Sequence, residues 1–499
     1  MPRSRNNGPT RNRARRSTSV QRSGRNGTDD RGSAAPLRSM QRMRRAMRRP
    51  QAHGMRRLRP RIRPPLGAPI DHNAVSTRSA GRFAMWYALV EQQREWMRAW
   101  RDATRDAFDA WPSATLPHAA ASCYDDLFEP LVGAPAGPPG FEIGPLTLDG
   151  RDVAIDERVI AHTAFCDLRR FARADASRTV LLCVPLAGHS AVMMRETVET
   201  LLADGDVCVT DWLNARDVPL ECGRFGLDEY VAMLDGFIDA LALGGRPLHV
   251  VAVCQATVPA LGALALRAVR GLAPPASLTL IGGPLDARLN PSTLGTAAAA
   301  HPLEWCRRNL IDIVPPGFAG HGRPVFPTYL QQGEIALVYP QRFLSLMEDY
   351  ARAASRFDPA ALAAARRALR EYTALLDMPA EYVLDTIDVV FQRMCIANGT
   401  WEVGGRCVEP AALRELALLT VEGARDAVTG AGQTHAALAM CSGLDARDRH
   451  RADIDDCDHY GLFSGAHWRD DVHPALQRLF ALAEAARRRP HRARALRRT

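Results

Sequence analysis

Short runs of consecutive apolar residues recur through the middle and C-terminal parts of the chain. Such runs, bounded by turn residues, are typical of strands buried on both faces of a parallel sheet. They predict strands at 179–184, 207–210, 248–253, 278–281 and 416–421. Between them, amphipathic stretches predict helices at 191–203, 227–243 and 256–270. Alternating strands and helices predict an α/β fold, with a mostly parallel sheet and helices on both faces.

Residues 340–393 have a different pattern, because helical stretches follow one another with no apolar strand between them. A helical insertion of this kind predicts a cap over the C-terminal edge of the sheet. Upstream, residues 85–112 predict one more helix. Its apolar positions share one side of the helix and are Met85, Leu89, Val90, Trp96 and Trp100.

The changes of pattern divide the chain into segments. We interpret residues 1–84 as a disordered, Arg-rich extension, since they hold too little apolar surface to offset the entropy cost of ordering. A wrongly assigned start is the alternative, because Met85 opens the first helical pattern. The other predicted segments are the N-terminal helix and linker (85–150), the first part of the core (151–290), a mainly helical cap (291–410), the second part of the core (411–486) and a basic tail (487–499).

The net charge of +9 is an average over unlike parts of the chain. Residues 1–84 hold 22 Arg against three Asp, and residues 487–499 hold seven Arg and no acid. The remaining body is therefore acidic. A basic arm can bind nucleic acid, but we favour a tail without a role, and no nucleic-acid partner is predicted.

The 11 cysteines argue for a reducing compartment. Their number is odd, they are scattered, and none forms a Cys-x-x-Cys pair, which argues against a disulfide framework and against a zinc site. We therefore predict a cytoplasmic protein without a metal. No apolar run is long enough for a membrane span, and the N-terminus lacks the apolar segment of a signal peptide.

The strand predicted at 248–253 ends at Cys254, and a helix begins directly after it. Small residues, Ala252 and Ala256, lie two positions before and after the cysteine. This is the pattern of a nucleophile elbow, whose tight turn needs small neighbours, and the helix N-terminus favours a thiolate. Cys254 is the candidate nucleophile, and a buried structural cysteine is the alternative.

An acid and a base are needed downstream of such a nucleophile. Asp426 follows the strand predicted at 416–421, and Glu422 competes with it for the role of the acid. His459 comes later, in a loop with glycines and aromatic residues that suits a general base. The order nucleophile, acid, histidine is that of α/β-hydrolases. The rival histidines are His435, His467 and His473.

The loop after the first predicted strand is the candidate oxyanion hole, which would stabilise the negative charge that develops on a carbonyl oxygen. Its sequence is VPLAGH, at residues 184–189. The backbone N–H of Leu186 or Ala187, together with that of Gln255, is expected to bind the oxyanion. His189 adds a polar side chain at the end of this loop. A plain turn is the alternative, because Pro and Gly suit both.

Several segments in the same order resemble the intracellular poly(3-hydroxybutyrate) depolymerases, a resemblance that covers roughly residues 85–480. The matching segments are VPLAGH (184–189), TDWLNAR (210–216), VCQ (253–255), LTLIGGP (278–284), LTVEGARD (419–426), GQT (432–434) and HYG (459–461).

The resemblance implies an α/β-hydrolase-like fold with a helical cap. It also implies a hydrolase that cleaves the ester bonds of an amorphous storage polyester with a triad of Cys254, His459 and Asp426. No metal and no organic cofactor are implied. The predicted partner is the poly(3-hydroxybutyrate) granule, and the predicted location is its surface in the cytoplasm. A homo-oligomer is left open.

The sequence departs from the family pattern at three positions near these residues. Ala256 stands where the family commonly has Pro, Ala427 where it often has a second acid, and Asp458 where it often has Gly before the histidine. The second departure leaves Asp426 as the one acid of that pair. Asp458 places a carboxylate beside the base. These differences bear on turnover and substrate preference more than on the fold.

Two other functions remain as alternatives. One is an acyltransferase that resembles the polyhydroxyalkanoate synthases and uses acyl-CoA. Synthases usually keep Gly on both sides of the nucleophile, so Ala252 and Ala256 argue against it. The other is a granule-binding protein whose catalysis has decayed, and the intact triad argues against that.

Overall fold

The computed structural model describes residues 77–109, 138–148, 150–338, 340–356 and 358–488. The predictions for residues 1–76, for most of the linker and for the end of the basic tail lie outside the described residues. Among the described residues, no helix is both long enough and apolar enough to cross a membrane.

The strands follow one another along the chain. They are β1 (Leu146–Leu148), β2 (Arg151–Val153), β3 (Asp156–His162), β4 (Cys166–Ala172), β5 (Thr179–Cys183), β6 (Asp206–Trp212), β7 (Leu248–Val253), β8 (Ser277–Ile281), β9 (Asp312–Ile313), β10 (Pro324–Phe326), β11 (Met378–Pro379), β12 (Glu402–Val403), β13 (Arg406–Cys407), β14 (Ala417–Gly423) and β15 (Arg449–Ile454).

The α-helices are interspersed with these strands. They are α1 (Thr77–Asp109), α2 (Arg195–Leu201), α3 (Leu227–Ala242), α4 (Thr257–Val269), α5 (Thr293–Ala300), α6 (Leu303–Leu310), α7 (Thr328–Val338), α8 (Pro340–Ser355), α9 (Pro359–Thr373), α10 (Ala380–Thr386), α11 (Cys395–Asn398), α12 (Ala436–Met440), α13 (Gly465–His467) and α14 (His473–Arg488).

The central sheet of the described residues has eight strands in the order β15-β14-β8-β7-β5-β6-β4-β3. The pairs from β6 through β5, β7, β8 and β14 to β15 are parallel, whereas β4 runs antiparallel to both β6 and β3. In register, Val253, Ile281 and Val421 lie side by side across β7, β8 and β14. The residues that follow them therefore meet at one edge of the sheet, where ligands bind in open α/β sheets.

The predicted α/β class is confirmed, and so are the five predicted strands. β7 has the predicted bounds, and all six of its residues are buried. The apolar pattern did not predict β3, β4 and β15, because these strands carry many polar residues. β3 and β15 lie at the two ends of the sheet and expose much of their length to solvent. Edge strands lack the continuous apolar run that marks a central strand.

The helix α1 begins at Thr77, so the eight residues before Met85 are helical instead of part of a disordered extension. Its apolar side does not face the protein, because Trp96 is 67% exposed. The buried side carries Tyr87, which donates a hydrogen bond to the Asp377 carboxylate. It also carries Arg94. A polar network thus fixes this helix, and the side that carries its apolar positions is not its buried side.

A helical insertion occupies residues 282–416, between β8 and β14. Helices dominate it, as predicted, although the short strand β11 interrupts the stretch at 340–393, where no strand was expected. β11 pairs with β10, which pairs with β9. The insertion reaches the edge of the central sheet at the loop after β5. There the Leu376 N–H donates to the Gly188 carbonyl at 2.6 Å, and the Ser190 N–H donates to the Ala374 carbonyl at 2.8 Å.

Candidate active site

Cys254 occupies the turn between β7 and α4. Its backbone has φ = +53°, a left-handed conformation that is strained for a residue with a side chain and is common at functional sites. Thr257 stabilises the turn by donating its hydroxyl to the Cys254 carbonyl at 2.7 Å. Gly283, at the end of β8, lets this turn pack closely, because a Cβ there would lie 1.8 Å from the Thr257 Oγ1. The predicted elbow geometry is therefore present at Cys254.

His459 and Asp426 form a buried pair at the same edge of the sheet. The His459 Nδ1 lies 2.7 Å from the Asp426 Oδ2, and both side chains are more than nine-tenths buried. The other carboxylate oxygen of Asp426 accepts the N–H groups of Val428 and Thr429, each at 2.8 Å. These bonds fix the carboxylate in the loop after β14, so that its free oxygen faces the imidazole.

Gly282 makes room for this pair. It follows β8 with φ = +54°, and a Cβ at this position would lie 3.3 Å from the His459 Cε1 and 3.4 Å from the Asp426 Oδ2. The two glycines of the LIGGP segment thus have separate roles. Gly282 accommodates the acid and base, and Gly283 accommodates the nucleophile turn.

The electrostatics of His459 reflect its two neighbours. Burial opposes a charge on the ring, but Asp426 and Cys254 outweigh it and raise the pKa of His459 well above its usual value. Both act through charge and through hydrogen bonding. An imidazole whose charged form is favoured, with a carboxylate on one side and a cysteine on the other, is an arrangement that can activate a cysteine nucleophile.

The competing acid, Glu422, has a different set of contacts. Its carboxylate accepts the backbone N–H groups of Gly432 at 2.6 Å, Thr434 at 2.7 Å and His435 at 2.9 Å. The His435 Nδ1 lies 2.7 Å from the Thr420 hydroxyl. Glu422 and His435 thus hold the loop after β14 in place.

The other rival histidines each have a partner of their own. The His473 Nε2 lies 2.7 Å from Asp204, and the partly exposed His467 lies 3.0 Å from Asp471. Asp458, the carboxylate beside the base, accepts the Gly461 N–H at 2.8 Å and so closes the turn that carries His459. Of the sequence candidates for the base, the structure brings His459 together with Cys254.

The candidate oxyanion loop follows β5, the neighbour of β7 in the sheet. Leu186 is buried, and Ala187 is partly exposed. Gly188 has φ = +94°, a conformation that favours glycine, and a Cβ there would lie 2.0 Å from the Gln331 Oε1. The Gln255 N–H belongs to the first helical turn after Cys254, where N–H groups have no intrahelical acceptor.

Three side chains that sequence reasoning did not single out hold the start of this loop. The Val184 carbonyl accepts the Trp212 indole N–H at 2.9 Å and the Tyr230 hydroxyl at 3.2 Å. The Val184 N–H donates to the Thr210 hydroxyl at 2.8 Å. Thr210 and Trp212 belong to the TDWLNAR segment. The sequence analysis assigned no role to that segment, but its match to the family pattern was a signal from which these residues could have been identified.

The helical insertion contributes Tyr382 to the nucleophile turn. Its hydroxyl donates to the Gln255 Oε1 at 3.1 Å, and the residue is 1% exposed. Tyr460, next to the candidate base, packs edge-on against Phe463 and Tyr372. The surroundings of Cys254, which is itself buried, are therefore aromatic. Within the described part of the chain, no cluster of His, Cys, Asp or Glu is suited to hold a metal ion, and the absence of a metal stays a prediction.

A strand–turn–helix elbow with a nucleophile, followed along the chain by an acid and a histidine, defines the α/β-hydrolase class. Residues 282–484 match the family model described as PHB de-polymerase C-terminus. The C-terminal part of the chain thus matches the polyhydroxybutyrate depolymerase family, which confirms the resemblance over that part. The match includes Asp426 and His459, whereas Cys254 and the oxyanion loop lie before it.

Comparison with other proteins adds solved structures of low similarity. A thermophilic esterase from Thermogutta terrifontis is 14% identical, with a TM-score of 0.36, and the match covers 66% of this chain and 98% of that one. A 2-hydroxy-6-oxo-6-phenylhexa-2,4-dienoate hydrolase from a Rhodococcus species is 15% identical, with a TM-score of 0.35, and covers 66% and 99%. No curated protein sequence matches the chain.

Proposed function

We propose that the protein is an intracellular depolymerase that hydrolyses the ester bonds of poly(3-hydroxybutyrate) at the surface of storage granules. The observation that carries the proposal is the buried His459–Asp426 pair beside a cysteine in a nucleophile elbow. The family match and the aromatic surroundings of the site favour an uncharged polyester as the substrate. The granule surface in the cytoplasm is part of the same proposal.

The first half of the proposed reaction forms an acyl-enzyme. His459 takes the proton from the Cys254 thiol, and the resulting thiolate sulfur attacks the ester carbonyl carbon. The electron pair of the carbonyl moves to oxygen, and the oxyanion is stabilised by the N–H groups of Gln255 and of Leu186 or Ala187. When the tetrahedral intermediate collapses, the C–O bond breaks and His459 protonates the departing 3-hydroxyl oxygen. A thioester on Cys254 remains.

The second half releases the acyl group. His459, now neutral, takes a proton from water, and the hydroxide oxygen attacks the thioester carbonyl. Collapse of this second intermediate expels the Cys254 thiolate and leaves a carboxylic acid. Asp426 keeps the imidazole in the required orientation and stabilises its charged form in both halves. The products are 3-hydroxybutyrate or its oligomers.

The decisive experiment measures the release of soluble 3-hydroxybutyrate products from native amorphous granules. The purified protein is compared with Cys254→Ala and with Cys222→Ala, a matched control that removes an exposed thiol outside the site. We expect release by the wild type and by Cys222→Ala and none above background by Cys254→Ala. Thermal melting of all three checks that the variants are folded.

Other outcomes would select the alternatives. Equal release by the wild type and Cys254→Ala would contradict the role of Cys254. Binding of the wild type to granules without product release would favour a granule-binding protein. Consumption of 3-hydroxybutyryl-CoA with growth of polymer would favour a synthase.

A further inference from the structure

The Nε2 of His189 is buried and has no hydrogen-bond partner among the described residues. The Nε2 of His435 is also without a hydrogen bond, but it lies 3.4 Å from the Glu422 carboxylate and 3.3 Å from that of Asp453. By contrast, the His249 ring lies 2.8 Å from the Ser277 hydroxyl. The ring of His473 lies 2.7 Å from Asp204. A buried polar atom without a partner costs free energy, and a functional role is one reason for a protein to retain it.

His189 lies at the edge of the sheet that carries Cys254. It follows Gly188 in the loop after β5, at the same edge as Cys254. The ring packs against Tyr372 with a centroid distance of 5.3 Å, and Tyr372 packs against Tyr460 at 5.8 Å. Tyr460 in turn packs against His459 at 6.0 Å. A row of packed aromatic rings thus connects His189 to the candidate base, with Tyr372 and Tyr460 between them.

The backbone around His189 is held firmly by the helical insertion. His189 forms an isolated antiparallel bridge with Leu375. Hydrogen bonds on either side join Gly188 to Leu376 and Ser190 to Ala374. Hydrogen bonds therefore fix the backbone that carries the imidazole. A flexible loop does not explain the missing hydrogen bond of the ring.

The chemistry of the ring suits an uncharged ligand. Burial lowers the pKa of His189 to about 4, so the imidazole is neutral at neutral pH. A neutral imidazole carries one N–H donor and one acceptor nitrogen. Such a group can donate to a carbonyl oxygen without introducing a charge into an apolar wall.

We propose that His189 binds the substrate, with its Nε2 donating a hydrogen bond to the carbonyl oxygen of an ester next to the one that is cleaved. This inference rests on the proposed polyester hydrolysis. A 3-hydroxybutyrate polymer repeats its ester group at every unit, so a second carbonyl is always available beside the reacting one. A substrate with a single acyl ester has no such carbonyl. His189 then selects for polyesters over simple esters.

The test compares two substrates and four proteins. The substrates are the linear trimer of 3-hydroxybutyrate and p-nitrophenyl butyrate. The proteins are the wild type, His189→Phe, His189→Gln and His162→Phe. His189→Phe keeps an aromatic ring against Tyr372 but has no donor, and His189→Gln keeps an N–H near the position of Nε2. His162→Phe is the matched control, because its side chain is 73% exposed on the edge strand β3.

We expect His189→Phe to lose about 10-fold in kcat/KM on the trimer, mainly as a higher KM, and less than about 3-fold on p-nitrophenyl butyrate. His189→Gln should recover part of the loss. The melting temperature of His189→Phe should not fall, since removing an unpaired buried polar group is neutral or stabilising. A structural role would instead lower the melting temperature and reduce activity on both substrates equally.

Two failures are distinguishable. If the wild type cleaves p-nitrophenyl butyrate but not the trimer, the proposed polyester function is wrong. If the wild type cleaves the trimer and His189→Phe does so with the same KM and kcat, the proposed role of His189 alone is overturned.

Discussion

Two carboxylate–histidine pairs take their acids from the end of β14 and the turn that follows it, and they differ in what the carboxylate binds. The Asp426 carboxylate gives one oxygen to two backbone N–H groups and the other to His459. The Glu422 carboxylate accepts three backbone N–H groups and lies 3.4 Å from the His435 Nε2. In the first pair one carboxylate oxygen binds only the imidazole, whereas in the second pair both carboxylate oxygens bind backbone N–H groups of the loop.

The difference appears in the charge of the two imidazoles. Burial lowers the pKa of His435, and Arg451 adds to this, although Glu422 and Asp453 act in the opposite direction. Burial also opposes a charge on His459, but Asp426 and Cys254 outweigh it and raise the pKa of this histidine. An acid beside a histidine is therefore not sufficient evidence of a catalytic pair, because the free oxygen of the acid and a third partner decide the outcome.

The largest expected effect is on catalysis. Asp426→Asn should lower kcat/KM for p-nitrophenyl butyrate by about 1,000-fold or more, because the amide neither fixes the imidazole tautomer nor stabilises its charge. Glu422→Gln is the matched change at the second pair and should cost less than about 10-fold per folded molecule. Steady-state hydrolysis with active-site titration of Cys254 measures both. Equal losses in the two variants would mean that the pairs are not functionally distinct.

The next effect is on the free energy of unfolding, and it concerns the pair of Glu422 and His435. Glu422→Gln should lower the free energy of unfolding by about 2–3 kcal/mol, because charge-assisted hydrogen bonds to buried N–H groups are weakened. Urea denaturation measures the change. Asp453→Asn is the control, since this acid also lies near His435 but its side chain is 55% exposed, and it should change stability by less than about 0.5 kcal/mol. A Glu422→Gln protein as stable as the wild type would remove the assigned structural role.

The sequence separated these residues only in part. An apolar run that ends at a cysteine with small neighbours predicts the elbow, because both the strand and the tight turn leave local signals at Cys254. Asp426 and Glu422, however, lie four residues apart near the end of the same strand, and the local pattern leaves both as candidates. Their difference depends on N–H groups from residues 428–435, whose loop geometry has no periodic signature.

Long-range polar contacts were the other feature beyond sequence reasoning. The outward-facing tryptophans of α1 could not be foreseen, because the buried side of the helix depends on Asp377, which is 290 residues from Tyr87. The anchors of the Val184 peptide likewise come from β6 and α3. Hydrophobic periodicity predicts elements and their faces where apolar burial dominates, and it fails where a buried hydrogen-bond network replaces that burial.

The smallest and most specific effect is on the pH dependence of stability, where the two histidines should behave in opposite ways. The folded-state pKa of His435 is lowered, so its contribution is complete above the unfolded pKa of about 6.5 and is lost as the pH falls. The folded-state pKa of His459 is raised, so its contribution is complete below about 6.5 and is lost as the pH rises through the folded-state value.

Urea unfolding at pH 5, 6, 7.5 and 9 tests this contrast. The free energy of unfolding of the wild type should exceed that of His435→Gln by less at pH 5 than at pH 7.5. It should exceed that of His459→Gln by less at pH 9 than at pH 6. We call each difference the stability margin of the wild type. Measuring the His459→Gln margin again in the Asp426→Asn background sharpens the test, because without the carboxylate the imidazolium loses its main support and the pH dependence should weaken. Margins that move in the same direction for both histidines would contradict the distinction between the pairs, since only opposite shifts in pKa give opposite slopes.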